Sequence, residues 1–213
     1  DHRDLHLSIR RQRQMCIRDR LYSVPQKYVG NVIMALTISA QLDKFVSSYV
    51  EQAEAEGLKI AFDSEWPSPC YETTAQDGEL VRWSPTLQSP VQSFSNVEEA
   101  LSLELNPDYC EYFTRYYSDN LKANAPQGRC ELLQVFNTED FERLQQNLIG
   151  HLLMKQRLRQ APTLFFGLTD EEDFILTVVN ESGEVALEQV GREPAKILAP
   201  SLAVFIEQLT PAI

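Results

Sequence analysis

One segment, "EDFERLQQNLIGHLLMKQRL" at residues 139–158, constrains the fold most strongly because its apolar residues recur at helical spacing. Four of them form a single stripe on a helical wheel: Phe141, Leu144, Leu148 and Leu152. Asn137 or Thr138 can cap the start of such a helix by accepting a hydrogen bond from a backbone amide of its first turn. The segment therefore predicts a long amphipathic helix that buries one face.

Three runs with strand character follow this helix, at residues 163–168, 173–180 and 184–191. The last two are separated by "ESG" at 181–183, which is a hairpin signal. Ser201 can then cap a final helix, "SLAVFIEQL".

The region before the long helix mixes the two types of element. The predicted order is a helix from Ile38 to about Glu56 capped by Thr37 or Ser39, a strand at 79–83, a helix capped by Asn96 that runs through 105, an aromatic helix at 107–117, and two strands within 120–136. Strands and helices do not alternate regularly in this order. We therefore expect an α+β fold, a single domain with a mainly antiparallel sheet flanked by helices.

Residues 1–33 differ from the rest of the chain in charge and in pattern. They hold seven basic and three acidic residues, lack hydrophobic periodicity, and are followed by Met34. The peptide "RQRQMCIRDR" within them resembles translated sequencing-adaptor sequence. We interpret 1–33 as a non-native or disordered leader, most simply a translation artefact, and expect the domain to occupy 34–213.

From Met34 onward the chain has 12 basic and 28 acidic residues, a net charge of −16. Such a body repels nucleic acid and anionic lipid headgroups, and it attracts basic surfaces over roughly a Debye length of about 8 to 10 Å. Solubility alone is also a sufficient reason for acidic charge. The charge therefore excludes some classes of partner and names none.

Patterns typical of catalysis or cofactor binding are missing from the sequence. The eight glycines are too dispersed for a nucleotide-binding loop, and the four cysteines form no CxxC pair and have no histidine at metal-ligand spacing. We expect no cofactor and no metal. No apolar run reaches the length of about 18 residues that a membrane-spanning helix needs.

His151 is the single histidine after Met34, and it lies at the shoulder of the apolar stripe of the long helix. A partly buried, hydrogen-bonded histidine is the expected role, and the neighbouring Gly150 suggests that another element packs closely there. An enzyme that pairs Cys70 with His151 stays open as a third hypothesis.

Several stretches of the chain resemble one known family. The segment "EDFERLQQNLIGHLLMKQRLRQAPTLFFGL", continued through "VVNESGEV" to "LAPSLAVFIEQLTPAI", is closely similar to the Syd family of SecY-interacting proteins of Gram-negative bacteria. The similarity extends more weakly through "PSPCYETT" and "VRWSPT" to the helix after Met34. Residues 1–33 have no counterpart in the family.

This resemblance implies an α+β domain of the SUKH class without catalytic activity. It implies a cytoplasmic protein, peripheral on the inner membrane through SecY, the channel subunit of the protein translocase, with no direct membrane insertion. It further implies binding to SecY that is unassembled or faulty, a negative check on the translocase, and a concave electronegative groove that faces basic cytoplasmic loops of SecY. Because related SUKH domains neutralise toxins, an acidic immunity protein is the alternative function.

The resemblance does not carry individual groove residues over to this chain, so we select them from its acidic regions. The expected partner-binding residues are Asp63, Glu65, Glu98, Glu99, Glu104, Asp108 and Glu111, with Trp66 as an apolar anchor. Each rim charge is expected to matter little alone, while their sum sets the association rate and its sensitivity to salt.

Overall fold

A computed structural model describes residues 36–53 and 57–213. Expectations about residues 1–33, including the leader interpretation, lie outside these described ranges and stay predictions. The helices are α1 (Ile38–Gln52), α2 (Ser95–Leu101), α3 (Pro107–Arg115), α4 (Thr138–Arg157) and α5 (Leu202–Glu207).

A seven-stranded antiparallel sheet forms the centre of the described domain. Its strands are β5 (Leu121–Ala125), β6 (Gly128–Leu132), β7 (Thr163–Thr169), β8 (Phe174–Val179), β9 (Val185–Gln189), β10 (Pro194–Ala199) and β11 (Thr210–Pro211), in the spatial order β10-β9-β8-β7-β6-β5-β11. Two small antiparallel pairs accompany it, β1 (Lys59–Ala61) with β2 (Leu80–Arg82) and β3 (Thr86–Leu87) with β4 (Tyr116–Tyr117). The predicted α+β class with a mainly antiparallel sheet flanked by helices is confirmed.

Helices cover both faces of the sheet. The contacts of β7 show this, because successive side chains of a strand point to opposite faces. On one face, His151 of α4 contacts Thr163 and Phe165. On the other face, the ring of Phe166 packs against Tyr112 of α3 and Phe205 of α5. The stripe predicted for α4 is buried, as expected for a helix that lies on a sheet.

A buried ion pair fixes the C-terminal half of α4 on the sheet. Lys155 Nζ lies 3.0 Å from Glu188 Oε1 of β9, and the two side chains are 1% and 0% exposed. Lys155 Nζ also donates to the carbonyl oxygen of Arg192 at 3.0 Å, and the Thr177 hydroxyl donates to Glu188 Oε2 at 3.3 Å. Because both charges are paired and hydrogen-bonded, the cost of removing them from water is offset.

Local signals placed most helix starts correctly. The side chains of Thr37, Asn137 and Ser201 accept amide hydrogen bonds at the starts of α1, α4 and α5. The prediction that Asn96 caps a helix running through 105 is wrong, since α2 begins at Ser95 and ends at Leu101, before Ser102 with φ 48°.

Two further expectations need correction. The helix predicted at 107–117 ends at Arg115, because its last two residues pair with β3 as a strand. The expectation of close packing at Gly150 is wrong: a Cβ added there would meet no atom within 4 Å, because the residue lies on the exposed side of α4. Strand β10, whose pairing with β9 is irregular, was not predicted from the sequence.

Breaking the buried pair from one side tests its structural role. Lys155→Met leaves the carboxylate of Glu188 buried without its cation, and we expect it to lower the free energy of unfolding by about 3 to 5 kcal/mol. Exposed Lys44→Met is the control and should change it by less than about 0.5 kcal/mol. Urea denaturation monitored by circular dichroism measures both.

The double variant Lys155→Met/Glu188→Leu removes both charges and should regain most of the lost stability. Equal stabilities of Lys155→Met and Lys44→Met would contradict the structural role of the pair.

Candidate functional site

A concavity of about 490 Å³ opens beside the N-terminal half of α4. The end of β1 and the loop after it, residues 60–71, form one wall, and α4 forms another through Asp140, Arg143 and Asn147. The segments 118–120 and 133–136 and the ring of Phe165 complete its lining. Residues distant in sequence therefore meet in one depression of the surface.

The loop wall is attached to the start of α4. Asn137, the cap residue of α4, donates from Nδ2 to the carbonyl oxygen of Pro67 at 2.9 Å. The Ser68 hydroxyl donates to the carbonyl oxygen of Phe136, and the rings of Tyr71 and Phe136 meet edge to face with centroids 5.2 Å apart. These contacts hold the loop and the helix at a fixed separation, so the concavity is preformed.

Three carboxylates line the concavity: Asp63, Asp119 and Asp140. Burial raises the pKa of Asp119, and the nearby charges of Glu131 and Asp140 raise it further, while the Asn120 amide that donates to Asp119 at 2.9 Å and the charge of Lys122 act in the opposite direction. Asp140 Oδ2 accepts a hydrogen bond from the Phe136 amide at 2.8 Å. Asp119 is thus an acid held in an environment that disfavours its charge.

Gln134 adds a buried acceptor to the same lining. Its side chain donates from Nε2 to the carbonyl oxygen of Leu133 at 2.9 Å, but its Oε1 has no hydrogen-bond partner and the residue is 7% exposed. Such an unpaired buried acceptor is costly. The three carboxylates make the concavity a set of acceptors suited to a ligand rich in donors.

One cation of the chain itself reaches into this acidic lining. Arg143 is the only basic residue among the described residues that line the concavity. Its guanidinium carbon lies 4.0 Å from the centroid of the Trp66 ring, and its Nη2 lies 3.3 Å from Glu139 Oε1. The face of Trp66 is therefore covered by a cation–π contact.

The eight residues proposed from the sequence are divided by the structure. Asp63 and Trp66 line the concavity, and Glu65 is exposed beside them in the same loop. The other five lie on α2, α3 and the connection between them and do not line it: Glu98, Glu99, Glu104, Asp108 and Glu111.

Two of those five carboxylates make contacts within the fold. Glu98 Oε1 accepts from the Leu105 amide at 2.9 Å, and Glu111 Oε1 accepts from the Ser39 hydroxyl of α1. Partner binding by the five residues remains a prediction.

Asp119, Gln134, Arg143 and Asp140 were not predicted as site residues from the sequence. The acidic side chain of Asp140 at the start of a helix was visible in the sequence, but its approach to the loop at 60–71 was not. Asp119 follows β4 in a short connection and joins the site only through the pairing of strands.

Neither residue of the hypothetical Cys70–His151 pair has the environment of a catalytic group. Burial raises the pKa of the Cys70 thiol to about 11, which leaves little thiolate near neutral pH. Burial also lowers the pKa of His151, whose Nε2 lies 3.2 Å from the Thr163 hydroxyl. The prediction of a partly buried, hydrogen-bonded His151 is confirmed.

Residues 36–53 and 57–213 contain neither a metal-binding cluster nor a membrane-spanning helix. Within these ranges no three side chains of His, Cys, Asp or Glu come together as a metal site. None of the helices there combines the length and the apolar character needed to span a bilayer.

Fold and site together define the class of this protein: an α+β domain with an acidic concavity. The chain belongs to the Syd family, since the family described as "Syd protein (SUKH-2)" matches residues 39–211.

Similar proteins support this assignment. The chain is 83% identical over 178 residues to Protein Syd of Alteromonas mediterranea, which covers 84% of this chain and 98% of that protein. It is 45% identical over 182 residues to Protein Syd of Pseudoalteromonas atlantica, with 84% and 98% covered. Protein Syd of Colwellia psychrerythraea is 45% identical over 186 residues, with 82% and 92% covered.

Asp119→Asn tests whether the concavity carries an energetic cost. Because the pKa of Asp119 is raised in the fold, its stabilising protonated form is lost as pH rises through that pKa, whereas asparagine stays neutral. We expect Asp119→Asn to melt at a higher temperature than the wild type at neutral pH. The difference should shrink as pH falls toward the ordinary aspartate value of 3.8. A lower melting temperature for Asp119→Asn at neutral pH would contradict this account.

Proposed function

We propose that this protein binds SecY, the channel subunit of the protein translocase, through basic cytoplasmic loops of SecY, and that it negatively checks the translocase as a quality-control factor. In this proposal it works by binding and not by catalysis. It is cytoplasmic and reaches the inner membrane as a peripheral protein, held there by SecY.

One observation carries the proposal: the concavity gathers Asp63, Asp119 and Asp140, and the described part of the chain adds a single basic residue to this lining. Lysine and arginine side chains are the donors that such a lining favours, because they supply several N–H groups and no acceptor. A segment rich in these residues would lower the cost of keeping Asp119 charged. Basic loops therefore fit the concavity better than neutral or acidic ones do.

The charge of the remaining surface supports fast encounter with such loops. The net charge of −16 from Met34 onward attracts a basic surface before contact. We assign this steering role to the exposed carboxylates outside the concavity, including Glu65, Glu99 and Glu104. Their contribution lies in the association rate, since exposed ion pairs add little affinity individually.

The walls of the concavity also offer the apolar contact that fixes orientation. The side chains of Trp66, Leu144 and Phe165 supply apolar surface among the acidic groups. Buried aromatic anchors within a polar rim are typical of binding hot spots. The concavity thus combines charge selection with an orienting surface.

Binding of the full chain to SecY complex in nanodiscs tests this function. We expect saturable binding that weakens steeply when the salt concentration is raised several-fold. Asp119→Asn should weaken binding about tenfold, whereas Glu99→Gln, which removes an exposed charge outside the concavity, should change it by less than about twofold.

The pH dependence adds an independent test. A basic side chain of SecY pairs with the ionised form of Asp119, and the pKa of Asp119 is raised. As the pH falls, wild-type binding should therefore begin to weaken at a higher pH than expected for an ordinary aspartate. Asp119→Asn should lack this component. Absence of SecY binding by the folded chain at low salt would refute the proposal, and equal affinities of Asp119→Asn and Glu99→Gln would refute the assigned site.

A further inference from the structure

The stack between Arg143 and Trp66 shows what the concavity accepts. A guanidinium lies 4.0 Å from the centre of the indole ring, inside a lining that holds three carboxylates. A planar guanidinium matches the face of an indole ring better than the compact ammonium group of lysine does. The chain thus places one of its own arginines where an arginine of a partner could also bind.

The contacts that hold Arg143 in this position are weak and open to solvent. Its side chain is 59% exposed, and its ion pair with Glu139 joins neighbouring turns of the same helix at 3.3 Å. Arg115, by contrast, forms two hydrogen bonds to Asp43 at 2.8 and 2.6 Å. An exposed pair such as Arg143–Glu139 contributes little, so Arg143 can leave Trp66 at low cost.

Beyond the stack, the concavity has acceptors that Arg143 does not use. Arg143 makes its hydrogen bond to Glu139, which does not line the concavity, whereas the carboxylates of Asp63, Asp119 and Asp140 do line it. A guanidinium entering from a partner would bring five donors to these groups. Arg143 therefore covers the aromatic face while leaving the acidic lining for a ligand.

We propose that Arg143 is a built-in competitor, which covers Trp66 in the free protein and is displaced when an arginine side chain of a basic partner enters the concavity. This inference rests on the proposed function, because it concerns the same site, and it adds a preference for arginine over lysine. When Arg143 is displaced from Trp66, it can keep its ion pair with Glu139, so neither charge loses its partner.

The first experiment needs no partner. Removing Arg143 exposes the indole face, so Arg143→Ala should increase quenching of Trp66 fluorescence by acrylamide. Arg157→Ala is the matched control, because Arg157 is an exposed arginine of the same helix and does not line the concavity. Trp66→Phe leaves buried Trp83 as the remaining tryptophan and defines its share of the signal.

The second experiment titrates the full chain with a peptide of alternating arginine and glycine and with its lysine counterpart. Both alanine variants lower the net charge equally, so a difference between them reports the local role of Arg143. We expect Arg143→Ala to bind the arginine peptide about three- to tenfold more tightly than Arg157→Ala does. Trp66→Phe should weaken the preference for the arginine peptide over the lysine peptide.

Equal affinities of the two alanine variants, weaker binding by Arg143→Ala, or no peptide binding by any variant would overturn this inference. Parallel titration with SecY complex separates it from the proposed function. If the wild type binds SecY and the two alanine variants have equal affinities, the proposed function is supported and the competitor role of Arg143 is refuted. If Arg143→Ala binds the arginine peptide more tightly but the wild type does not bind SecY, the competitor role is supported and SecY is refuted as the partner.

Discussion

The buried pair of Lys155 and Glu188 fixes the helix on which the rest of the site depends. It anchors the C-terminal half of α4 to β9, where both charges are shielded from water and hydrogen-bonded. The N-terminal half of the same helix then extends over the edge of the acidic concavity. Because a helix is stiff, a fixed C-terminal half also fixes where Asp140 and Arg143 lie.

The cap of α4 links this frame to the second wall of the concavity. Asn137 uses one side-chain atom to begin the helix and another to hold the loop at Pro67. The site is therefore preorganised by residues that are not themselves proposed to contact the partner. Its interior is energetically unfavourable in the free protein, since Asp119 is partly desolvated and Gln134 holds an unpaired acceptor. Such local costs are typical of sites selected for binding rather than for stability.

Local signals in the sequence were sufficient for much of the fold. The stripe of α4 and its Asn137 cap, the hairpin at 181–183 and the Ser201 cap depend on neighbouring residues, and all of them are found in the structure. Asn96 failed as a cap because the helix already begins at Ser95, after Phe94, whose side chain makes no capping hydrogen bond. Gly150 failed as a packing signal because the sequence does not distinguish an exposed helical glycine from one against which another element packs.

The candidate site was predicted less completely because it depends on contacts between distant segments. Acidic residues were chosen by their density along the chain, which favoured Glu98 to Glu111 and overlooked the isolated Asp119. Only the pairing of β5 with β6 and the docking of the loop on α4 bring Asp63, Asp119 and Asp140 together. Trp66 was identified from its type, but its cover by Arg143 could not be read from sequence.

The central claim is that the concavity, and not the acidic α2–α3 region, is the surface that contacts SecY. Hydrogen–deuterium exchange of the full chain, with and without SecY complex, tests this claim most directly. The account predicts that binding slows exchange in segments 60–71, 118–120 and 133–147 and leaves 95–111 little changed. Protection confined to 95–111, with none around the concavity, would contradict it.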